Sequence, residues 1–144
     1  MNKKVAIVGT AGLPANYGGW ETLVHNLTLH LHHRFDITVF CSSKKYNNKI
    51  KEFNSVKLEY ISLNANGIQS IPYDIIAIYR SLKFANTILI LGVSGCILLP
   101  FVRFFGSSKI IVNIDGLEWK RDKWGKFAKI FLKFSERIAV NFSN

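Results

Sequence analysis

An α/β fold with a doubly wound, mostly parallel sheet is predicted by three features of the sequence. Short runs of apolar and β-branched residues, typical of buried strands, recur at residues 5–8, 36–41, 56–61, 87–91 and 109–114. Segments with apolar residues at helical spacing separate most of these runs. The 144 residues, 49% of them hydrophobic and 19% charged, suffice for one globular domain with its own core. Strands that alternate with helices favour a parallel sheet with helices on both faces.

The opening segment, residues 5–21, combines a strand, a glycine-rich loop and the start of a helix. Strand 5–8 runs into a loop that contains Gly9, Gly12, Gly18 and Gly19. A helical period then begins at Trp20 and continues to about residue 33. This arrangement directs backbone N–H groups and the positive helix end at one point, which suits a phosphate or another anion. The glycine spacing is neither G-x-G-x-x-G nor a Walker loop, so turn glycines without a ligand are the alternative.

The remaining elements follow from the same periodicities. Residues 42–53 are polar, basic and aperiodic, which predicts a surface loop. A helix is expected over residues 72–84, since Tyr73, Ile76, Ala77 and Leu82 support it. Pro72 stands in its first turn, where proline is tolerated. Residues 87–105 are apolar enough to resemble a membrane span, but glycines and a proline interrupt them. We therefore expect a strand and a short helix there, and a last helix over residues 122–142.

The charge and the cysteine and histidine content of the chain indicate which kinds of partner to expect. The net charge of +10 favours anionic partners such as phosphates or acidic lipids. No recognisable nucleic-acid-binding module accompanies this charge, so nucleic acid is not expected as a partner. The two cysteines, Cys41 and Cys96, lie in apolar contexts and are expected to be buried and reduced, as in a cytosolic protein. The four histidines scatter around the first helix without convergent ligand spacing, so no metal site is expected.

Three loops are expected to meet at one edge of the sheet, because ligands of such sheets gather outside the carboxyl ends of the strands. These loops are residues 10–19, 92–95 and 115–119. Asp115 directly follows a strand and could bind a sugar hydroxyl or act as a base, or simply cap an Asp-Gly turn. Ser94 could reach the cleft or occupy a turn that admits only small residues. Glu118 and Trp119 are further candidates, with a helix cap and a core anchor as the alternatives.

Three segments resemble glycosyltransferase family 4, in particular its rhamnosyltransferase-like branch. They are G-T-A-G-L-P-A-N-Y-G-G-W-E-T at residues 9–22, L-G-V-S-G at residues 91–95 and V-N-I-D-G-L-E-W-K-R at residues 112–121. The resemblance implies the GT-B architecture, in which the active site lies between two Rossmann-like domains. Residues 1–144 would be the single N-terminal domain, and the C-terminal donor-binding domain with its Glu-x7-Glu segment is not among them.

The same resemblance implies roles for individual residues. Gly12, Gly18 and Gly19 would lie at the cleft near the donor diphosphate and the acceptor, and Ser94, Glu118 and Trp119 would also line this cleft. Asp115 stands where many members of the family carry a histidine, and it is the candidate catalytic residue.

The implied reaction is the retaining transfer of a sugar, with dTDP-rhamnose as the expected donor, to a lipid-linked saccharide. It belongs to bacterial surface polysaccharide synthesis and needs neither a metal nor another cofactor. Since the donor-binding domain is expected to supply most donor contacts, the 144-residue chain alone is expected to be inactive. A cytoplasmic protein, peripheral at the inner face of the plasma membrane, is expected.

The last predicted helix has a basic face, and two other functions remain as alternatives to the transferase. A basic face beside Trp124, with Lys126, Lys129 and Lys133, suits an anionic membrane surface, while an ordinary core-packing helix is the alternative. One rival function is a non-enzymatic binding or scaffold remnant of a transferase, completed by a separate partner. The other is an oxidoreductase-like nucleotide-binding domain, which the missing dinucleotide fingerprint disfavours.

Overall fold

The structure is a computed structural model that describes residues 2–16 and 18–144, so Met1 and Tyr17 of the glycine-rich loop lie outside the described residues. Within these residues the chain forms six strands and four α-helices. Their bounds, in chain order, are β1 (Lys3–Val8), α1 (Gly19–Leu31), β2 (Phe35–Ser42), β3 (Glu52–Phe53), β4 (Val56–Ile61), α2 (Ser70–Ser81), β5 (Thr87–Leu91), α3 (Leu99–Phe105), β6 (Lys109–Asn113) and α4 (Lys126–Phe142). Single 3₁₀ turns precede α2 and α3 and follow β6.

The six strands form one sheet in the order β3-β4-β2-β1-β5-β6. All neighbouring pairs are parallel except β3 and β4, and Val5 of β1 lies opposite Ile37 on one side and Thr87 on the other. The chain moves outward from β1 through β2 and β4 and then returns to β5 on the other side of β1. The predicted Rossmann-like, doubly wound fold is confirmed, and its switch point lies between β1 and β5.

Helices cover the two faces of the sheet unequally. On one face α1 packs Val24 and Leu23 against β1, β2 and β4. On the other face α2, α3 and α4 pack around the inward residues of β1 and β5, among them Val8 and Ile90. Each fully buried aliphatic side chain of this kind contributes roughly 1.5–3 kcal/mol. The central strands are buried on both faces, which explains why their sequences read as continuous apolar runs.

Two segments differ from the sequence-based expectation. Residues 42–53, expected to be a loop, end in β3, whose two residues pair antiparallel with β4. So short a strand has no periodicity of its own, and only its pairing with β4 defines it. The last helix begins at Lys126 and not at residue 122, because the preceding residues form a 3₁₀ turn and a bend.

Residues 87–105 form β5, a turn and α3, as expected. Among the described residues, no helix combines the length and the apolarity needed to cross a bilayer. Both cysteines are buried and free, and burial raises the pKa of the Cys41 thiol to about 11 and that of Cys96 to about 12.

Candidate functional site

Two adjoining cavities open at the carboxyl ends of β1, β5 and β6. The smaller one, called here the Ser94 cavity, has a volume of about 110 Å³ and is lined by Ser94, Asp74 and Glu118 among others. The larger one, called the Gly19 cavity, has a volume of about 470 Å³ and is lined by Gly18 and Gly19. The two cavities share six residues, which come from the end of β1, the start of α1, the segment before α2 and the segment after β6: Gly9, Trp20, Ala65, Asn66, Asp115 and Arg121.

The structure thus brings the three expected loops to one edge of the sheet. Gly18 and Gly19 lie on one side, Ser94 lies on the other, and Asp115 borders both cavities. The position coincides with the switch point of the sheet, where α/β folds commonly bind ligands. The placement follows the prediction; the roles of these residues stay predictions.

Gly9 allows the loop after β1 to pass close to the end of β5 at this edge. Its φ is +94°, and a Cβ at this position would collide with the carbonyl oxygen of Leu91 at the end of β5. Only glycine takes this conformation without strain. The loop after β1 can therefore cross the end of β5 closely enough for both to border the same cavities.

Gly12 does not line the cleft, and that expectation is corrected. It is buried, and a Cβ there would come within 2.7 Å of the Cys41 sulfur and 2.9 Å of the Tyr46 ring. Its N–H donates to the Thr10 hydroxyl at 3.3 Å. Gly12 therefore allows the loop to pack closely against β2. Its N–H binds Thr10 and is not directed at a ligand.

Glu21 accepts a hydrogen bond from one of the loop N–H groups that the sequence assigned to an external anion. It is the third residue of α1 and only 8% exposed, and its Oε1 accepts hydrogen bonds from the Ala11 N–H at 2.8 Å and the Thr10 hydroxyl at 3.2 Å. A carboxylate in the first turn stabilises a helix through the helix dipole. Sequence reasoning missed this residue, although an acid three residues after a capping glycine is a recognisable helix-start signal.

Asp74 is a second buried carboxyl that sequence reasoning missed. It lies on α2, is 3% exposed, and borders the Ser94 cavity. Burial raises the pKa of Asp74 well above its ordinary value, and a hydrogen bond with Ser94 offsets only part of that effect. The Ser70 hydroxyl in turn donates to the Ser94 hydroxyl at 3.2 Å. Three polar side chains therefore meet at the end of β5.

Glu118 forms a charged cluster on the opposite wall of the Ser94 cavity. Its carboxylate accepts from the Trp124 indole N–H at 3.0 Å and pairs with Lys123 at 2.8 Å and Arg121 at 3.1 Å. Partial burial by itself would raise the pKa of Glu118, but these hydrogen bonds and positive charges outweigh it, so the pKa is lowered. Glu118 therefore remains an anion with its partners already in place.

Two tryptophan expectations are corrected by this cluster. Trp124 is only 7% exposed, since its ring packs into the core and its N–H binds Glu118, so it does not face a membrane. Trp119 lines neither cavity: it packs against the core, and the Lys133 and Lys120 ammonium groups lie 4.9 Å and 5.4 Å from its ring centroid. These contacts favour the core-anchor interpretation of Trp119 over a sugar platform.

The remaining candidates are exposed except for Lys129. Asp115 is exposed in the turn after β6, next to Gly116 with its φ of +63°. Lys126 and Lys133 are exposed on α4, whereas Lys129 is partly buried and lies 4.0 Å from Asp122. Among the described residues, no group of three or more histidine, cysteine or acidic side chains is arranged to hold a metal ion.

The structure defines an α/β domain with a cleft at the switch point of a parallel sheet. Within that class, the chain belongs to the family described as "Domain of unknown function (DUF1972)", whose model matches residues 2–144. This family is a glycosyltransferase-associated domain. No curated protein matches the chain.

Proposed function

We propose that this chain is the N-terminal, acceptor-side domain of a retaining glycosyltransferase of family 4, in its rhamnosyltransferase-like branch. One observation carries the proposal: a chain of a glycosyltransferase-associated family has Gly19, Ser94 and Asp115 around adjoining cavities at its switch point. The site is open towards solvent beside Gly19, where a second domain would bring a donor. That second domain is supplied in cis or in trans.

In the proposed reaction, a hydroxyl oxygen of a lipid-linked saccharide forms a bond to the anomeric carbon of a nucleotide-sugar, with dTDP-rhamnose as the expected donor. The bond between that carbon and the diphosphate oxygen breaks, and the nucleoside diphosphate leaves with the electron pair. The acceptor proton passes to Asp115 or to the departing diphosphate. Retention of configuration means that the new bond forms on the face from which the diphosphate departs.

The protein's main task is then to stabilise the negative charge of the leaving group. Glu21 already compensates the inner side of the α1 N-terminus, so the diphosphate would lie on the outer side, beside Gly18 and Gly19. Arg121 borders both cavities and is 59% exposed, so its guanidinium is accessible to a diphosphate. Backbone N–H groups and one cation would together bind the leaving group.

A transfer assay tests this proposal. The purified chain is incubated with radiolabelled dTDP-rhamnose and a bacterial lipid-linked saccharide extract, with and without a family 4 donor-binding domain. Label should enter the lipid fraction only when that domain is present, and Asp115→Asn should lower the rate at least tenfold. Appreciable turnover by the 144-residue chain alone would refute the division into two domains.

Calorimetry separates the rival functions. Titration with dTDP, dTDP-rhamnose and NAD should show heat for the thymidine nucleotides only in the presence of the donor-binding domain. Binding of NAD would instead favour the oxidoreductase-like alternative. Saccharide binding without any transfer by the combined domains would favour the scaffold alternative.

We further propose that the exposed face of α4 rests on an anionic membrane surface, which would bring the cleft to a lipid-linked acceptor. Phe127, Ile130 and Phe134 lie at i, i+3 and i+7 on this helix and are 90%, 69% and 54% exposed. Lys126, Lys133 and Arg137 flank them. Acidic lipids attract such cations by roughly 1 kcal/mol each, and the apolar side chains would insert between headgroups.

Vesicle sedimentation tests the membrane proposal. The chain should sediment with vesicles of three parts phosphatidylcholine and one part phosphatidylglycerol, and much less with phosphatidylcholine alone. The double variant Phe127→Ser/Phe134→Ser should lose most of this binding. Tyr79→Ser, which changes an aromatic residue of α2 that is 54% exposed, is the matched control and should bind as the unmodified chain does. Equal binding by all three proteins would contradict the proposal.

A further inference from the structure

The inner end of the Ser94 cavity holds a polar cluster that the proposed leaving-group chemistry does not use. Asp74 and Ser70 come from the first two turns of α2, and Ser94 comes from the turn after β5. Gly95 lets this turn approach the helix, since a Cβ there would lie 2.7 Å from the Asp74 Cβ. The backbone of two separate elements therefore holds the three side chains together.

One oxygen of this cluster lacks a partner. Asp74 Oδ1 is buried and, within the described residues, accepts no hydrogen bond. Leaving a buried polar atom unpaired costs about 1–3 kcal/mol, and native proteins keep few such atoms. Other hydrogen bonds in the same cavity wall are satisfied, including those of Ser70 and Ser94. Because Asp74 lines the cavity, a group that enters the cavity is the candidate partner for this oxygen.

The chemistry of that group follows from its neighbours. Among the described residues, the cations that line the cavity are Arg121 and Lys123; both form ion pairs with Glu118, and neither forms one with Asp74. Burial raises the pKa of the Asp74 carboxyl well above its ordinary value and so favours the protonated form, which can both donate and accept a hydrogen bond. Ser94 and Ser70 have the same double capacity. A neutral hydroxyl, itself a donor and an acceptor, complements all three without bringing a charge into a buried cluster.

The space also fits a hydroxyl group. The cavity volume of about 110 Å³ exceeds the ~10–15 Å³ that a single water requires. It is small for a whole saccharide but sufficient for a ring hydroxyl and the carbon that carries it. Asp115 borders the same cavity, so a ring held here would extend towards the candidate catalytic carboxylate.

We propose that Asp74, Ser94 and Ser70 form a hydroxyl-binding subsite that takes a ring hydroxyl of the acceptor saccharide. The subsite rests on the proposed function for the identity of its ligand. It positions the acceptor ring, and Asp74 takes no part in bond making. The subsite thereby selects acceptors by the presence and orientation of one hydroxyl group.

An NMR titration of the full chain with methyl α-L-rhamnopyranoside tests the subsite. Amide signals of Ser70, Ser94 and Gly95 should shift, and a Kd should follow from the titration. Asp74→Ala should raise this Kd at least tenfold, while Asp74→Asn, which keeps a donor and an acceptor, should raise it less than threefold. Asp122→Asn, at an exposed carboxyl outside the cavity, is the matched control and should leave the Kd unchanged.

Three results would overturn the subsite: no binding of the glycoside, shifts confined to other residues, or a Kd of Asp74→Ala within twofold of the unmodified chain. If Asp74→Ala does not give a dispersed spectrum, Ser94→Ala replaces it, with an expected increase of at least fivefold. Normal transfer by Asp74→Ala with the donor-binding domain would overturn the subsite and leave the proposed function intact. Glycoside binding at Ser94 without any transfer would overturn the proposed function alone.

Discussion

Glu21 and Asp74 are both buried carboxyls at the same edge of the sheet, and they differ in what they contact. Glu21 accepts two hydrogen bonds from the loop after β1, whereas Asp74 keeps an oxygen without a partner beside the Ser94 cavity. The first carboxyl fastens a loop to a helix. The second is held in place by its surroundings but is incompletely satisfied. The difference teaches that burial alone does not mark a ligand site, and the unpaired oxygen beside a cavity is the reason why we propose Asp74 and not Glu21 for ligand binding.

The largest predicted effect comes from Gly9, which borders both cavities. Gly9→Ala should lower the free energy of unfolding by about 4 kcal/mol, since a positive φ and a backbone collision each cost roughly 1–3 kcal/mol. Urea denaturation measures this. Gly19→Ala is the control, because nothing lies within 4 Å of a Cβ there, and it should stay within about 0.5 kcal/mol. Similar losses for both variants would contradict the account.

Glu21→Ala should be next, with a loss of about 3 kcal/mol, because two buried donors of the loop lose their acceptor. Glu21→Gln retains an acceptor oxygen and should lose only about 1 kcal/mol. The same denaturation experiment compares the two. If both variants lost equal stability, the carboxylate charge and not its hydrogen bonds would be what fastens the loop.

The stability of Asp74→Asn relative to the unmodified chain should depend on pH. Because the folded-state pKa of Asp74 is raised, its contribution to stability is fully present below the ordinary carboxyl pKa of 3.8 and is lost as pH rises through the raised value. At pH 4 the variant should lie within about 1 kcal/mol of the unmodified chain. With rising pH its relative stability should increase. A difference in unfolding free energy that stayed constant from pH 4 to pH 8 would contradict the prediction.

Glu118→Gln should have the smallest effect, a loss of about 0.5 kcal/mol at pH 7, because its ion pairs with Lys123 and Arg121 are partly screened by solvent. The folded-state pKa of Glu118 is lowered, so this contribution is present above its ordinary value of 4.5 and disappears as pH falls through the lowered one. Denaturation at a series of pH values should show the full difference at pH 7 and a smaller one as the pH falls below 4.5. Lys120→Met, at a lysine outside both cavities, serves as the comparison.

Much of the architecture could be predicted from the sequence, because buried parallel strands and amphipathic helices leave periodic signals. Each of the five expected strands is present, and the expected helices begin and end within about four residues of their observed bounds. The expected meeting of three loops at one edge followed from the topology of parallel sheets. Two-residue β3 could not be predicted, since pairing with β4 alone defines it.

The directions in which side chains point were harder to predict from the sequence than the strands and helices. The helical spacing placed Trp124 on the last helix and left open whether it faced a membrane or the core. The helix begins after Trp124, and its ring packs into the core with its N–H bound to Glu118. Gly12 was assigned to the cleft from its neighbours in the chain, yet Cys41 and Tyr46 of other segments surround it. In both cases the deciding contacts come from residues that are near only in the folded molecule.

The sequence by itself determined the strand and helix order, the wound sheet and the edge at which its loops meet, because hydrophobic periodicity and chain connectivity are local properties. Only the tertiary structure decided which acids turn inward and which of them find partners. A hydrogen bond depends on distances of about 3 Å between groups that can be tens of residues apart, such as Tyr73 and Thr10. The sequence contains both partners but not the separation between them.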